Sequence, residues 1–258
     1  MKIKNNLVVS AHQPAFLPWL GYIEKFALSD TFIVMDIAKF RKRAFMHRNK
    51  IEINNKPHFL GFHLEKNADS LNCDKIYINK NFSDDLSIIS NKIKSTYKKS
   101  KFYNEVELFC NECLTNDINS LNLVEICLKQ LKYFKKIFNF ETKIMLESEI
   151  IESDYLSKIN TSQRLLQHAL KLSAKIYITG INSESYLDKE IFEDHNIFNY
   201  VQKFDYSPFL EIQTSQECLS IIHQIALIGV NRVKEILYKN IQNKKEILQN
   251  EISKKNKD

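Results

Sequence analysis

The sequence predicts an α/β fold: a mostly parallel central sheet with flanking helices, a small β-hairpin region, a helical insertion and C-terminal helices. Short apolar runs of strand length alternate with longer segments of helical spacing in both halves of the 258-residue chain. A strand, a loop, a helix and a second strand open the chain, and this order indicates parallel pairing through a right-handed crossover. The Asn54-Asn55 pair separates two further strand-like segments, as is typical of a hairpin turn.

The elements follow in chain order. The first strand, at 7–9, ends at a loop whose prolines forbid a regular helix before Trp19. Further strands are expected at 31–35, 51–53, 58–64, 75–78, 143–146, 175–179 and 197–202. Helices are expected at 19–29, 84–97, 103–114, 119–138, 160–172, 216–228 and 231–248.

The domain organisation is predicted to be simple. No Gly/Ser-rich or Pro-rich linker divides the chain, which favours one domain over residues 1–250 with a helical insertion at about 84–138. The charged tail at 251–258 is expected to fray.

Composition excludes several classes of protein. Apolar residues at 44% and charged residues at 26% are ordinary for a globular protein. No run approaches the ~20 apolar residues that span a bilayer, and the apolar run at 7–11 is too short for a secretion signal, so a cytoplasmic protein is expected. Five cysteines cannot all pair. Cys110 and Cys113 lie on an apolar helix face and are interpreted as core residues, and no metal site is predicted.

The arginines are concentrated in one segment. Only five of the 37 basic residues are arginine, and Arg41, Arg43 and Arg48 fall within eight positions. The planar guanidinium forms paired hydrogen bonds with carboxylate or phosphate. Since 37–51 also contains no acidic residue, the pattern predicts an anion site, with a solvated cationic face as the alternative.

A second candidate is the segment from His12 to Tyr22, which contains Trp19, the only tryptophan, and two of the four prolines. Such residues form a rigid turn, and a turn after the first strand of an α/β sheet lies where ligands usually bind. His12 would act there as a proton carrier or a neutral hydrogen-bond partner. Gln13, Trp19 and Tyr22 are the expected binding residues beside it, and simple packing of a strand–helix corner is the alternative.

These residues resemble the signature of the WbqC-like proteins, and the resemblance covers nearly the whole chain. The N-terminal motif comprises His12-Gln13-Pro14, Phe16-Leu17-Pro18-Trp19, Gly21-Tyr22, Lys25, Asp30, Phe32, Asp36 and Arg48-Asn49. Later matches are Ser162-Gln163-Arg164-Leu165, 177–180, Tyr186-Leu187-Asp188 and 219–222, up to Gly229.

The resemblance implies an enzyme of O-antigen or other surface-glycan biosynthesis that adds an acyl or aminoacyl group to an amino sugar. The partners would be a nucleotide-linked amino sugar and a small acyl or amino-acid donor. Asn49 would join the arginines in binding, and Tyr186 and Asp188, which follow a strand, would contact sugar hydroxyls. The chain departs from the family pattern at His47, at His223 and in the loop 181–185.

One mechanism would activate a carboxylate as an adenylate with ATP and Mg²⁺. The opening strand, loop and helix are similar in layout to nucleotidylyl-transferase folds, although the histidine signature of those folds is missing. His12 would orient or neutralise the α-phosphate, and Arg43 and Arg48 would stabilise the charge developing there. Asp36 would hold the metal or accept the amine proton.

Two alternatives stay open. A transferase could use a pre-activated donor such as an aminoacyl-tRNA or a thioester, with lysines at 92–101 near the RNA backbone, although no RNA-binding motif is present. A non-catalytic protein could scaffold sugar nucleotides, because no nucleophile set or Walker loop stands out. Arg164 could reach a phosphate in either case, or pair with Glu149 or Glu152.

Overall fold

A computed structural model describes residues 7–115, 122–209 and 218–255. Within these ranges the chain forms seven strands, which are β1 (Val8–His12), β2 (Thr31–Val34), β3 (Arg48–Ile53), β4 (Lys56–Gly61), β5 (Lys143–Leu146), β6 (Ile176–Gly180) and β7 (Phe198–Gln202). Five of them form one sheet in the order β5-β2-β1-β6-β7. All four pairings in this sheet are parallel, which confirms the predicted α/β class.

Side chains of the parallel strands alternate between two apolar cores. On β1, Val8 belongs to the larger core and Val9 to the smaller one. On β6, Ile176 and Ile178 lie in the larger core, whereas Tyr177 lies in the smaller one. Successive side chains of a strand point to opposite faces, so both faces of the sheet are covered, as is usual for parallel sheets.

Helices cover both faces of the sheet. In the described ranges they are α1 (Leu20–Leu28), α2 (Asp85–Tyr97), α3 (Tyr103–Cys113), α4 (Leu123–Phe138), α5 (Ser153–Leu156), α6 (Thr161–Lys171), α7 (Glu190–Glu193) and α8 (Ile221–Lys255). The apolar residues of α1, α2, α3, α4 and α8 contribute to the larger core, and those of α6 and α7 contribute to the smaller one.

The hairpin forms where the asparagine pair predicts it. β3 and β4 pair antiparallel from Arg48↔Gly61 to Ile53↔Lys56. Asn54 and Asn55 connect them with φ angles of 51° and 60°. A two-residue hairpin turn of this type requires positive φ at both positions, and asparagine tolerates that conformation better than most residues do.

The predicted helical insertion is present in sequence between β2 and β5, where α2, α3 and α4 follow the hairpin. The strand expected at 75–78 does not form. Tyr77 and Ile78 make single bridges to two different segments, through Asn122 and Leu64. Because the two partners diverge, no ladder extends, and Ile76 and Ile78 serve as buried core residues in a connecting segment. The single-domain organisation stays a prediction.

The two predicted C-terminal helices both form within α8, one before and one after a kink at Gly229, where φ is 79° and ψ is 159°. A Cβ atom at this position would lie 2.6 Å from the ring of Phe102, so the kink requires glycine for both conformation and space. The second of these helices continues to Lys255, and the frayed tail stays a prediction. Residues 119–121, 216–217 and 256–258 of the predicted elements lie outside the described ranges.

Candidate functional site

The sheet opens at the carboxyl ends of β1 and β6. Pairing between these strands ends at Ser10↔Ile178, whereas β1 continues beside β2 to His12↔Val34. The chain leaves β1 towards β2 on one side and later enters β6 on the other, so this is the point where the strand order reverses. Open α/β sheets bind ligands in the crevice outside such a point. We call the strand ends, with the loops 13–19 and 181–189, the switch-point crevice.

Lys25 closes the gap between the diverging strands. Its Nζ donates to the carbonyl oxygen of Ala11 at 2.8 Å, beyond the last paired residue of β1 on the side of β6. The side chain is buried, and burial lowers the pKa of Lys25 from 10.5 to about 7. A lysine with this pKa supplies both protonated and neutral amine near neutral pH. Lys25 is part of the family signature but was not among the predicted site residues, and a lysine within an apolar helix stripe is the sequence signal that points to it.

His12 stands beside this lysine as a neutral imidazole. Its Nδ1 lies 3.0 Å from the carbonyl oxygen of Gln13, which can only accept, so Nδ1 carries the proton and Nε2 carries a lone pair. Burial, with the nearby charge of Lys25, lowers the pKa of His12 to about 4. The rings of Trp19 and Tyr22 lie 5.5 and 5.0 Å from the imidazole, centroid to centroid. His12 is therefore a hydrogen-bond acceptor at neutral pH, and not a cation that could neutralise a phosphate.

The loop after β1 has a strained backbone that buried side chains hold in place. Leu17 has a φ of 46°, in the left-handed region that leucine rarely adopts. Its amide donates to Gln130 Oε1 at 2.7 Å, and its carbonyl oxygen accepts from Asn49 Nδ2 at 2.6 Å. Asn49 is completely buried, so it shapes the loop from below. Direct contact with substrate, the role expected for Asn49, is not what this position favours.

A strip of aromatic rings and cations leads from the loop to the hairpin. The Trp19 ring lies 5.6 Å from that of Phe45, which lies 6.4 Å from that of Phe59. The Arg48 guanidinium carbon and Lys50 Nζ stand 4.4 and 5.0 Å from the Phe59 centroid. Phe59 is 49% exposed. We call these five residues the aromatic–cationic strip, a surface that suits stacking on a planar or apolar face together with anion contact.

Two of the three clustered arginines, Arg41 and Arg43, are exposed. Burial raises the pKa of the Tyr186 phenol, and the Arg41 charge acts in the opposite direction. Arg41 of the arginine-rich segment therefore lies near Tyr186 of the loop after β6. Asp188 is exposed beside Tyr186, and its backbone amide donates to Ser162 Oγ at 3.0 Å.

Asp36 has both carboxylate oxygens engaged. Oδ1 accepts from the backbone amide of Ser148 at 3.0 Å, and Oδ2 accepts from the Ser148 hydroxyl at 2.6 Å. Asp36 is buried, and these bonds join the segment after β2 to the turn after β5. This arrangement favours a positioning role over the expected contact with metal or amine.

Arg164 is part of a buried chain of polar groups. It forms a two-pronged ion pair with Glu147, which replaces the expected partners Glu149 and Glu152. Glu147 Oε1 also lies 2.8 Å from His168 Nε2, and His168 Nδ1 lies 3.0 Å from the Tyr177 hydroxyl. Burial raises the pKa of Glu147, but hydrogen bonds from His168 and Arg164 outweigh burial and hold it below its ordinary value. This chain of polar groups joins the turn after β5 to α6 and β6.

A cavity of about 650 Å³ adjoins the arginine-rich segment. Lys42 and His47 line it from that segment, opposite Lys66 and Asp69. Phe40 and Phe62 pack near His47, whose pKa burial lowers to about 4. A neutral wall with charged edges can accept a polar ring of modest size.

Within the described ranges, no group of three or more His, Cys, Asp or Glu side chains could hold a metal ion. In the same ranges, no helix combines the length and apolar character needed to cross a membrane. The cysteines at 110 and 113 are buried and unpaired, as predicted.

Comparison with known proteins gives one finding. The model of the WbqC-like protein family matches residues 13–235, a range that begins directly after His12 and includes both loops of the crevice, the arginine-rich segment and the buried polar chain. No curated protein and no solved structure matches the chain.

Proposed function

The chain belongs to the WbqC-like protein family, and we propose that it transfers an acyl or aminoacyl group to the amino group of a nucleotide-linked amino sugar. The product would enter O-antigen or other surface-glycan biosynthesis, and the reaction would take place in the cytoplasm. The observation that carries the proposal is the pair of nitrogen bases in the switch-point crevice. Lys25 and neutral His12 lie together where an α/β sheet places its ligand.

Acyl transfer to an amine needs a base. The sugar nitrogen attacks the carbonyl carbon, a C–N bond forms, the bond to the leaving group breaks, and the nitrogen releases one proton. A general base works best when its pKa is near the operating pH. Lys25, with a pKa of about 7, meets this condition better than His12 at about 4. We therefore assign proton acceptance to Lys25 and hydrogen bonding of the incoming amine to His12 Nε2.

The surfaces around the crevice provide the binding groups. The aromatic–cationic strip offers the exposed ring of Phe59 with Arg48 and Lys50 for a base or sugar face and its phosphate. Arg41 lies near Tyr186 of the crevice, and Arg43 is exposed two positions further along the chain. Charged donors of this kind hold pyrophosphate oxygens and stabilise charge on a departing phosphate.

The source of the activated acyl group separates two forms of the proposal. An adenylate would require ATP with Mg²⁺, whereas a thioester or an aminoacyl-tRNA would arrive already activated. The tRNA form has less support. Tyr97 is buried against His223, and Phe102 is half-buried against Gly229, so the lysine-rich segment has no fully exposed aromatic side chain for stacking on RNA bases.

Isothermal titration calorimetry with UDP-glucosamine, with ATP and Mg²⁺, and with both together tests the proposal. We expect the nucleotide sugar to bind, and mass spectrometry to detect an N-acylated sugar when amino acids or acyl thioesters are supplied. Arg48→Lys keeps the charge but loses the planar fork, and should weaken sugar-nucleotide binding about tenfold. Arg232→Lys, on the exposed face of α8, is the matched control.

Each outcome has a distinct meaning. No binding of the nucleotide sugar would contradict the proposal. If the nucleotide sugar binds and ATP does not, the adenylate form is excluded. If the nucleotide sugar binds but no acyl donor yields a product, a non-catalytic scaffold protein is favoured. If Arg48→Lys binds the nucleotide sugar with unchanged affinity, Arg48 does not contact it through a planar fork.

A further inference from the structure

A separate polar pocket lies away from the crevice, between the hairpin, α2 and α8. Its volume is about 400 Å³. Glu52 and Ile53 line it from β3, and His223 and Leu227 from α8. The remaining lining residues are the turn asparagines and one face of α2, namely Asn54, Asn55, Lys92, Ser95, Thr96 and Tyr97.

The inner wall of the pocket has an ordered chain of hydrogen-bonding groups. The Tyr97 hydroxyl lies 3.0 Å from His223 Nδ1, and both residues are buried. The phenol oxygen also has a hydrogen bond with the backbone of Glu52, which as an N–H donor leaves the phenol proton for His223 Nδ1. Because Nδ1 accepts this proton, the single N–H proton of the neutral His223 ring is on Nε2.

His223 Nε2 is the unsatisfied member of this chain. It is buried and has no hydrogen-bond partner in the described part of the chain. The nearest acidic oxygen, Glu52 Oε1, is 4.0 Å away, beyond hydrogen-bond distance. A buried donor without a partner costs about 1–3 kcal/mol, so a ligand atom that satisfies it gains binding free energy.

The chemistry of the gap selects the ligand atom. One oxygen atom about 2.8 Å from both His223 Nε2 and the Glu52 carboxylate would bridge them. That oxygen must accept from Nε2–H and donate to the Glu52 carboxylate. A hydroxyl does both, whereas an ammonium cannot accept and a carboxylate cannot donate.

The outer walls suit further hydroxyls and an apolar ring face. The hydroxyls of Ser95 and Thr96 donate to the Lys92 carbonyl oxygen at 2.9 and 2.8 Å, so their lone pairs are available as acceptors. Leu227 and Ile53 supply apolar surface beside these polar groups. Pockets that combine a few convergent polar groups with apolar surface are typical small-molecule sites.

We propose that this pocket binds a polyhydroxylated ring, a pyranose sugar, with one ring hydroxyl bridging His223 Nε2 and the Glu52 carboxylate. The pocket shares no residue with the switch-point crevice. A sugar held here would be a second carbohydrate site, and its existence does not depend on acyl transfer at the crevice.

The proposal is tested by NMR. The protein is titrated with methyl glucoside, methyl galactoside and methyl mannoside, and the signal of the His223 Cε1 proton is monitored. We expect at least one glycoside to shift this signal saturably. Tetrahydropyran-2-methanol, which has the ring without the ring hydroxyls, should not. His223→Phe keeps the ring volume but loses the donor, and saturation-transfer NMR should show about a tenfold or greater rise in Kd.

A second variant guards against loss of folding in His223→Phe. Leu227 is 37% exposed, so Leu227→Trp should fill the pocket from its rim without disturbing the polar chain, and should also raise the Kd. Glu125→Gln, on the exposed side of α4, is the matched control and should leave it unchanged. If none of the three glycosides binds, the proposal is overturned, because water then suffices between His223 Nε2 and the Glu52 carboxylate. An unchanged Kd in Leu227→Trp would overturn it as well.

Discussion

Asn49 Nδ2 donates a hydrogen bond to the carbonyl oxygen of Leu17 at 2.6 Å, and both residues are fully buried. This contact holds a leucine in the left-handed conformation and thereby sets the path of the loop that carries Trp19 towards His12. Strained residues persist only where the surrounding structure determines them, and they cluster at functional sites. The shape of the crevice therefore depends on a residue that lines no part of it.

Asn49→Ala should destabilise the fold by about 2–3 kcal/mol, because it leaves the buried carbonyl of Leu17 and the amide of Lys50 without the Asn49 side chain. The midpoint of urea unfolding measures this change. Asn91→Ala, at an exposed position of α2, should change the free energy of unfolding by less than about 0.5 kcal/mol. Equal effects in the two variants would show that Asn49 does not hold the loop.

Lys25→Met should change how stability depends on pH. The pKa of Lys25 is about 7 in the folded protein and 10.5 ordinarily. Between these values the unfolded chain binds one more proton, so wild-type stability rises with pH by about 1.4 kcal/mol per unit. Lys25→Met has no titrating group at this position and therefore lacks this rise in stability with pH. Its free energy of unfolding relative to wild type should therefore be highest below pH about 7 and fall steadily towards pH about 10.5.

Urea unfolding across that pH range measures the Lys25 effect, and the exposed Lys143→Met serves as the control. Parallel stability curves for wild type and Lys25→Met would show that Lys25 remains charged when folded.

Glu147→Gln should be strongly destabilising, by about 3–5 kcal/mol at neutral pH, because Arg164 would lose its buried partner. The folded-state pKa of Glu147 lies below its ordinary value of 4.5. Its stabilising contribution is therefore complete above about pH 4.5 and is lost as pH falls through the lower folded-state value. The difference in the free energy of unfolding between wild type and variant should therefore become smaller in acid.

Removing both partners of this ion pair provides the check. The double variant Glu147→Gln/Arg164→Met should regain part of the lost stability, since no unpaired charge remains buried. Thermal unfolding measures this difference. Glu149→Gln, with an exposed side chain, should have a small effect. A double variant that is no more stable than Glu147→Gln would show that Arg164 is not the residue left unsatisfied.

The fluorescence of Trp19 should report the protonation of His12. A protonated imidazole quenches a nearby indole, and the two ring centroids are 5.5 Å apart. Because the pKa of His12 is lowered to about 4, quenching should begin well below pH 6.5 and have its midpoint near pH 4. Circular dichroism over the same range separates quenching from acid unfolding. A midpoint near 6.5, or the same curve in His12→Asn, would contradict this assignment.

Local patterns determined much of the fold. The asparagine pair predicted the hairpin turn, because only a few residues tolerate two successive positive φ angles. The helix expected from residue 160 forms as α6, where the side chains of Asn160 and Gln163 each satisfy the other residue's backbone amide. The strand–loop–helix–strand order predicted parallel pairing of β1 with β2. Each of these signals comes from residues close together in the chain.

The sequence by itself determined the α/β class, the hairpin and the position of the loop after β1. Only the tertiary structure decided that β1 lies between β2 and β6, which opens the crevice at Ala11 and His12. Likewise, Leu17 meets Gln130 across 113 positions, and Tyr97 meets His223 across 126. Local spacing carries no information about such contacts. They follow from which apolar faces pack together, and that packing sets the pKa of Lys25, the role of Asn49 and the partner of Arg164.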